Sequence, residues 1–137
     1  MARTAGRLSA QELLGSLEYP IMQALWCRFP LTVGDVLDGL NGDRSDGEAL
    51  AYTTVMTVLS RLHDKGIVDR EKDGRSYQYR PRFTEHELVR RHSRQEVQRL
   101  VDRYGSVALS QFATALQDTD PDLLVRLVRL AEEQRDG

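Results

Sequence analysis

Apolar residues recur at helical spacing in six stretches of the chain and alternate in one. Leu17, Ile21, Leu25 and Trp26 fall close to i, i+4, i+8 after Gly15-Ser16, which predicts a first helix. Pro20 lies in its first turn, where a missing N–H costs little, and Arg28-Phe29-Pro30 ends it. Thr32 is the natural N-cap of a short second helix whose apolar side is Val36, Leu37 and Leu40. The polar run NGDRSDGE, Asn41 to Glu48, carries two glycines and reads as a surface loop. A third helix runs from about Tyr52 to Lys65 with Val55, Val58, Leu59 and Leu62 inward, and Gly66 follows as its C′ residue. Ile67-Val68 opens a strand, Asp73-Gly74 is a hairpin turn, and the alternating SYQYR of Ser76 to Arg80 is the return strand, stopped by Pro81.

The second half is helical throughout. Thr84-x-x-Glu87 forms a capping box ahead of a long helix to about Tyr104, with Leu88, Val97, Leu100, Val101 and Tyr104 as its stripe. Gly105 breaks it and Ser106 recaps. Leu109, Phe112, Ala113 and Leu116 recur at i, i+3, i+4, i+7. Asp120-Pro121 is an N-cap with proline at the first helical position, and Leu123, Leu124, Leu127, Val128, Leu130 and Ala131 cover a wide arc of the last helix. The expected order is helix, helix, helix, hairpin, then three helices. This predicts a mainly α chain: a flexible leader at 1–13, a winged helix-turn-helix at 14–83 and a three-helix domain at 84–137. So wide an apolar arc near the end of a small chain calls for a partner, and two-fold symmetry would pair identical patches.

The net charge of −2 argues against a polyanion as partner until its distribution is considered. Thr32 to Leu50 holds five acids and one arginine, whereas Ala51 to Arg82 holds seven basic residues and four acids, a local balance of +3. Local balance is what a polyanion feels within a Debye length of ~8 Å. The third helix adds chemistry to that charge. Thr53, Thr54, Thr57, Ser60 and Arg61 lie opposite its apolar stripe. A threonine offers a hydroxyl for phosphates or base edges and a methyl that packs on thymine, and Arg61 reaches a phosphate or a guanine. Arg75, at the tip of the hairpin, is placed for a backbone phosphate. Since Tyr77 and Tyr79 alternate with polar residues, at least one of them should pack under the hairpin.

AYTTVMTVLSRLHDKG (Ala51 to Gly66) followed by VDREKDGRSYQYRP (Val68 to Pro81) resembles the BlaI/MecI/CopY penicillinase-repressor family. LGSLEYPIMQALW (Leu14 to Trp26) is similar to that family's first helix. The resemblance implies a bacterial, cytoplasmic transcriptional repressor: a homodimer on a palindromic double-stranded DNA operator. Its DNA-reading residues would be Tyr52, Thr53, Thr54, Met56, Thr57 and Arg61, with Arg75, Lys72 and Tyr77 on the wing. Dimerisation would fall to the tail, through Leu109, Phe112, Leu116, Leu123, Leu124, Leu127, Val128 and Leu130. Three departures qualify it. The loop Asn41 to Glu48 is long for the family, which bears on the entry angle of the third helix. The cysteine cluster of the copper-responsive branch is missing from the terminal AEEQRDG. The Asn-Phe bond cut in the antibiotic-responsive branch, by a membrane-linked sensor protease as partner, corresponds here to Gln111-Phe112.

Other classes have less to stand on. The histidines, His63, His86 and His92, are scattered, and no Gly-rich phosphate loop or G-x-S-x-G serine is present, so an enzyme, a metal site and a cofactor are not expected. The lone Cys27, beside Trp26, reads as a small buried apolar residue in preference to a redox switch between subunits. No apolar run approaches the ~20 residues of a membrane span, and no secretory signal opens the chain. Two alternatives keep the fold: a repressor that senses a small molecule between its helices, and a winged-helix module that binds protein instead of DNA.

Overall fold

The computed structural model describes residues 8–136. These fall into two compact units, 8–91 and 92–136. Residues 1–7 of the expected leader lie outside the described residues. Its remainder contains a single helical turn, α1 (Ala10–Leu13), with Ala10 buried.

In the first unit, α2 (Glu18–Cys27), α3 (Val33–Asn41) and α4 (Tyr52–Asp64) are the three helices that the pattern predicts. Thr32 caps α3 by accepting from the Asp35 N–H, and the Asp35 carboxylate accepts from the Thr32 N–H in return. Gly66 ends α4 at φ +78°, a conformation in which a side chain would be strained. Strands β1 (Val68–Asp73) and β2 (Ser76–Pro81) pair antiparallel, with Asp73 opposite Ser76, so the turn is the two residues Gly74 and Arg75. Gly74 has φ +66° at the first of these, as a type II′ turn requires.

The hairpin is seated by an isolated bridge. Leu31 and Tyr79 exchange both backbone hydrogen bonds, at 3.1 and 2.8 Å, and both side chains are buried. One core unites the unit: Ile21, Met22 and Leu25 of α2, Val33 and Val36 of α3, Val55, Val58, Leu59 and Leu62 of α4, and Val68 and Tyr79 of the hairpin. Each such side chain contributes roughly 1.5–3 kcal/mol by leaving water.

Polar ties fix the helices further. The Glu18 carboxylate, buried at the start of α2, accepts from Lys65 Nζ at 2.9 Å and from the Gly15 N–H at 2.8 Å, fastening α2 to the end of α4. Burial works to raise its pKa. The Lys65 hydrogen bond, the Gly15 N–H and the charges of Lys65 and Arg61 outweigh that and hold it below the ordinary 4.5. The Trp26 indole N–H donates to the Phe83 carbonyl at 2.9 Å, tying the end of α2 to the chain leaving the hairpin.

Cys27 departs from expectation: it is exposed. It follows Leu25 by two positions, about 200° around the helix, so the turn that buries Leu25 faces Cys27 outward.

Helix α5 (Glu85–Tyr104) begins in the first unit, where Leu88 is buried and the Glu87 N–H donates to Thr84 Oγ1. In the second unit α6 (Ser106–Thr119) packs on α7 (Pro121–Asp136). Gly105, at φ +57°, is itself the N-cap of α6 and Ser106 is the first helical residue, so Ser106 does not cap. Asp120 caps α7 by accepting from the Asp122 N–H at 3.2 Å. Among the described residues of 92–136 no apolar side chain is buried; the one buried residue is Asp120.

Candidate nucleic-acid interface

Helix α4 turns one side to the core, and the geometry of the other follows from 3.6 residues per turn. Thr53, Thr57 and Arg61 are exposed and lie at i, i+4, i+8 along its outermost line. Thr54 and Ser60 are half-buried on either flank, so the outer line runs through Thr53, not through Thr54. Tyr52 and Met56 are exposed at the edge of the same surface. Asp64, one turn beyond Arg61, is exposed on that line too. Its charge repels an anion, so the neutral-to-basic part of this surface runs from Tyr52 to Arg61. No side chain caps the start of α4, where the N-cap is Ala51. N–H groups at such a helix start favour an anion.

The hairpin has two chemically different faces because successive side chains alternate. Asp69, Glu71 and Asp73 share one face with their cross-strand partners Arg80, Gln78 and Ser76. Arg70 and Lys72 share the other with Tyr79 and Tyr77. Tyr79 is the tyrosine that packs beneath the hairpin, and Tyr77 is exposed. The Arg70 guanidinium lies 4.2 Å from the centre of the Tyr77 ring, which keeps the arginine extended along this face. Arg75 is exposed in the turn between the two faces.

Not all seven basic residues are available to a ligand. Lys65 is held by Glu18, and Arg82 by Asp69. The Arg82 hydrogen bond is the main cause holding the Asp69 carboxyl below its usual range. Arg61, Arg70, Lys72, Arg75 and Arg80 form no ion pair among the described residues. Arg70 is the residue that the sequence reading passed over as a candidate. Its alternation with Lys72, on the tyrosine side of the strand, was the signal that could have found it.

The tail residues lie as follows. Leu109 is 67% exposed and Phe112 50%, and Val128 and Leu130 are exposed as well. Leu116, Leu123, Leu124 and Leu127 are half-buried. Val107 and Val125, absent from the expected set, join the exposed apolar surface. Val97, Leu100, Val101, Leu109, Phe112 and Leu127 line a groove of about 420 Å³. Gln111 and Phe112 are both exposed in the middle of α6. Among the described residues no three His, Cys, Asp or Glu side chains gather as a metal-binding group, and no helix is long and apolar enough to cross a membrane.

Three helices on one core, the last of them outward-facing and followed by a basic hairpin seated against the first two, define a winged helix-turn-helix. The chain belongs to the penicillinase repressor family, whose model matches residues 14–133. It is similar to the transcriptional regulator BlaI of Mycobacterium tuberculosis, 46% identical over 77 residues that cover 56% of this chain and 53% of that protein. The methicillin resistance regulatory protein MecI of Staphylococcus aureus is 24% identical over 66 residues, 48% of this chain and 50% of MecI. The chain thus spans about half the length of the curated relatives it matches. Among solved structures, the DNA-binding domain of the repressor BlaI is 25% identical over 53% of this chain and 83% of that one, with a TM-score of 0.45. The complex of hsRosR-S1 is 17% identical over 84% of this chain and 99% of that one, with a TM-score of 0.50, a likeness of fold alone.

Proposed function

We propose that this chain is a cytoplasmic transcriptional repressor that binds a palindromic operator as a homodimer. Helix α4 enters the major groove, with Thr53, Thr54, Met56, Thr57 and Arg61 toward the bases and Tyr52 at its start. The wing holds phosphates through Arg75, Lys72, Arg70 and Tyr77, and its acidic face turns away. The observation that carries this reading is the neutral-to-basic outer surface of α4 on the same core as a hairpin that carries unpaired Arg70 and Lys72 on one face and Arg75 in its turn. Winged-helix readers divide labour in this way, base edges to the helix and phosphates to the wing.

The tail helices supply the dimer. The support is the lack of any buried apolar side chain among the described residues of 92–136, with Leu109, Phe112, Val128 and Leu130 exposed. Release of repression by proteolysis at Gln111-Phe112 by a sensor protease fits the exposure of both side chains, but their place in mid-helix means that α6 must unwind before a protease can grip the bond. A second reading, a repressor that senses a small apolar molecule, is favoured by the groove of about 420 Å³, a volume within the range of ligand pockets.

The test uses a duplex selected by the protein from a randomised pool, against a scrambled duplex of equal composition. Fluorescence anisotropy at two salt concentrations should show tighter binding to the selected duplex, with two protomers per site. Equal affinity for both duplexes would refute the reading.

A further inference from the structure

The join between α3 and α4 is fastened by one side chain. Asn41, the last residue of α3, accepts from the Leu50 N–H at 2.8 Å and donates from its amide nitrogen to the Leu50 carbonyl at 3.1 Å. Both polar ends of the amide are used, as one residue of a strand pair would use its N–H and C=O. The intervening residues 42–49 close upon themselves. The Arg44 N–H donates to the Asn41 carbonyl, the Glu48 N–H to the Ser45 carbonyl, and the Arg44 guanidinium to the Glu48 carbonyl. The loop exposes Asp43, Asp46 and Glu48, charges that DNA phosphate repels, so it is poorly suited to contact DNA itself.

Helix α4 starts directly after this clip, and it starts without the usual device. A Ser, Thr, Asp or Asn at the N-cap ordinarily fixes where a helix begins. Here the N-cap is Ala51, which has nothing to offer. The loop's own hydrogen bonds run within residues 41–48 and, apart from the clip, none among the described residues reaches forward to α4, so they transmit no position to that helix. Val55, buried in the core, fixes which side of the first turn faces inward; ahead of it the chain is held by Leu50, half-buried against the core and clipped by Asn41.

We infer that Asn41 is a positioning residue for DNA recognition: its clip on Leu50 sets the start of α4, and thereby the presentation of Tyr52, Thr53 and Thr57, and makes the loop 43–48 dispensable. This rests on the proposed reading of DNA by α4. The loop 43–48 then hangs outside the clip.

The experiment uses the full chain with Asn41→Ala, Asn41→Asp, and a variant in which residues 43–48 are replaced by two glycines. Three measurements are made on each: affinity for the selected and the scrambled duplex, the thermal midpoint, and exchange of the Leu50 amide hydrogen. Loss of both part-buried hydrogen bonds predicts that Asn41→Ala narrows the ratio between the two duplexes about tenfold, while affinity for the scrambled duplex and the salt slope stay as they are. Asn41→Asp keeps the acceptor and loses the donor, so it should fall between. The shortened loop should keep the wild-type ratio. Leu50 exchange should accelerate in Asn41→Ala and not in the shortened loop. An unchanged ratio in Asn41→Ala overturns the inference. So does an equal loss on both duplexes that tracks a lowered midpoint, since that is stability alone. If the wild type selects no duplex at all, the reading of α4 fails, and Leu50 exchange still decides the clip: no acceleration in Asn41→Ala refutes it.

Discussion

Helices α4 and α7 carry similar apolar series and meet opposite fates. Val55, Val58, Leu59 and Leu62 of α4 are all buried, whereas Leu123, Leu124, Val125, Leu127, Val128 and Leu130 of α7 are half-buried or exposed. The difference is in what surrounds them. Helix α4 is covered by α2, α3 and the hairpin, which enclose it on the apolar side. Helix α7 has α6 on one flank, and two helices cannot surround each other. Apolar periodicity states that a helix will be covered; it does not state by which chain.

Five variants break or sharpen that contrast. The largest effect belongs to the enclosed core. Leu59→Ala should destabilise residues 8–91 by about 2–5 kcal/mol, with an unfolding midpoint in urea that does not move with protein concentration. A midpoint that rises with concentration would mean that this core depends on a second chain as well. The tail should behave in the opposite way. Leu109→Asp with Phe112→Asp removes exposed side chains, so each protomer keeps its fold while self-association, read by sedimentation, weakens by more than about 100-fold, the expected result of deleting two central contacts. A dimer of unchanged strength would place the interface elsewhere.

Within the winged unit, α4 and the hairpin should separate by a smaller margin. Thr57→Ala should narrow the gap between selected and scrambled duplex by roughly 1–3 kcal/mol. Arg75→Ala should weaken both duplexes alike and reduce the salt slope by about one unit. Selective loss from Arg75→Ala with uniform loss from Thr57→Ala would reverse the assignment. The smallest effect is at Glu18. Its folded carboxyl is held below 4.5, so its share of stability is complete above that pH and is lost as pH falls through the lower folded value. Glu18→Gln should flatten that part of the acid limb and cost about 1 kcal/mol at neutral pH, read as the urea midpoint across a pH series.

Where a residue's role is set by its own backbone conformation or by its neighbours in sequence, it was legible. Gly66 and Gly74 at positive φ, Thr32 as a cap, and Asp120 ahead of Pro121 are local events that residue type announces. The outer surface of α4 was legible for the same reason, since 3.6 residues per turn fix it once four apolar positions face inward. What required the fold were contacts between distant residues. Glu18 meets Lys65 across 47 positions, which withdraws one cation from the basic balance. Leu31 pairs with Tyr79 as a single bridge, too short to leave an alternating pattern. Cys27 is exposed although its neighbour Trp26 is half-buried, because adjacent residues of a helix point about 100° apart and do not share a face.

The bridge between Leu31 and Tyr79 also governs when the protein can come into being. The hairpin closes on a two-residue turn, an event of microseconds, but it has nothing to rest on until Leu31 is in place. During synthesis the reverse delay holds: α2 and α3 emerge early with Ile21, Met22, Leu25 and Val36 still bare, and they stay so until α4, Val68 and Tyr79 have left the ribosome. The nascent chain therefore carries an unsatisfied apolar surface through most of the domain's translation, and then completes it in one cooperative step.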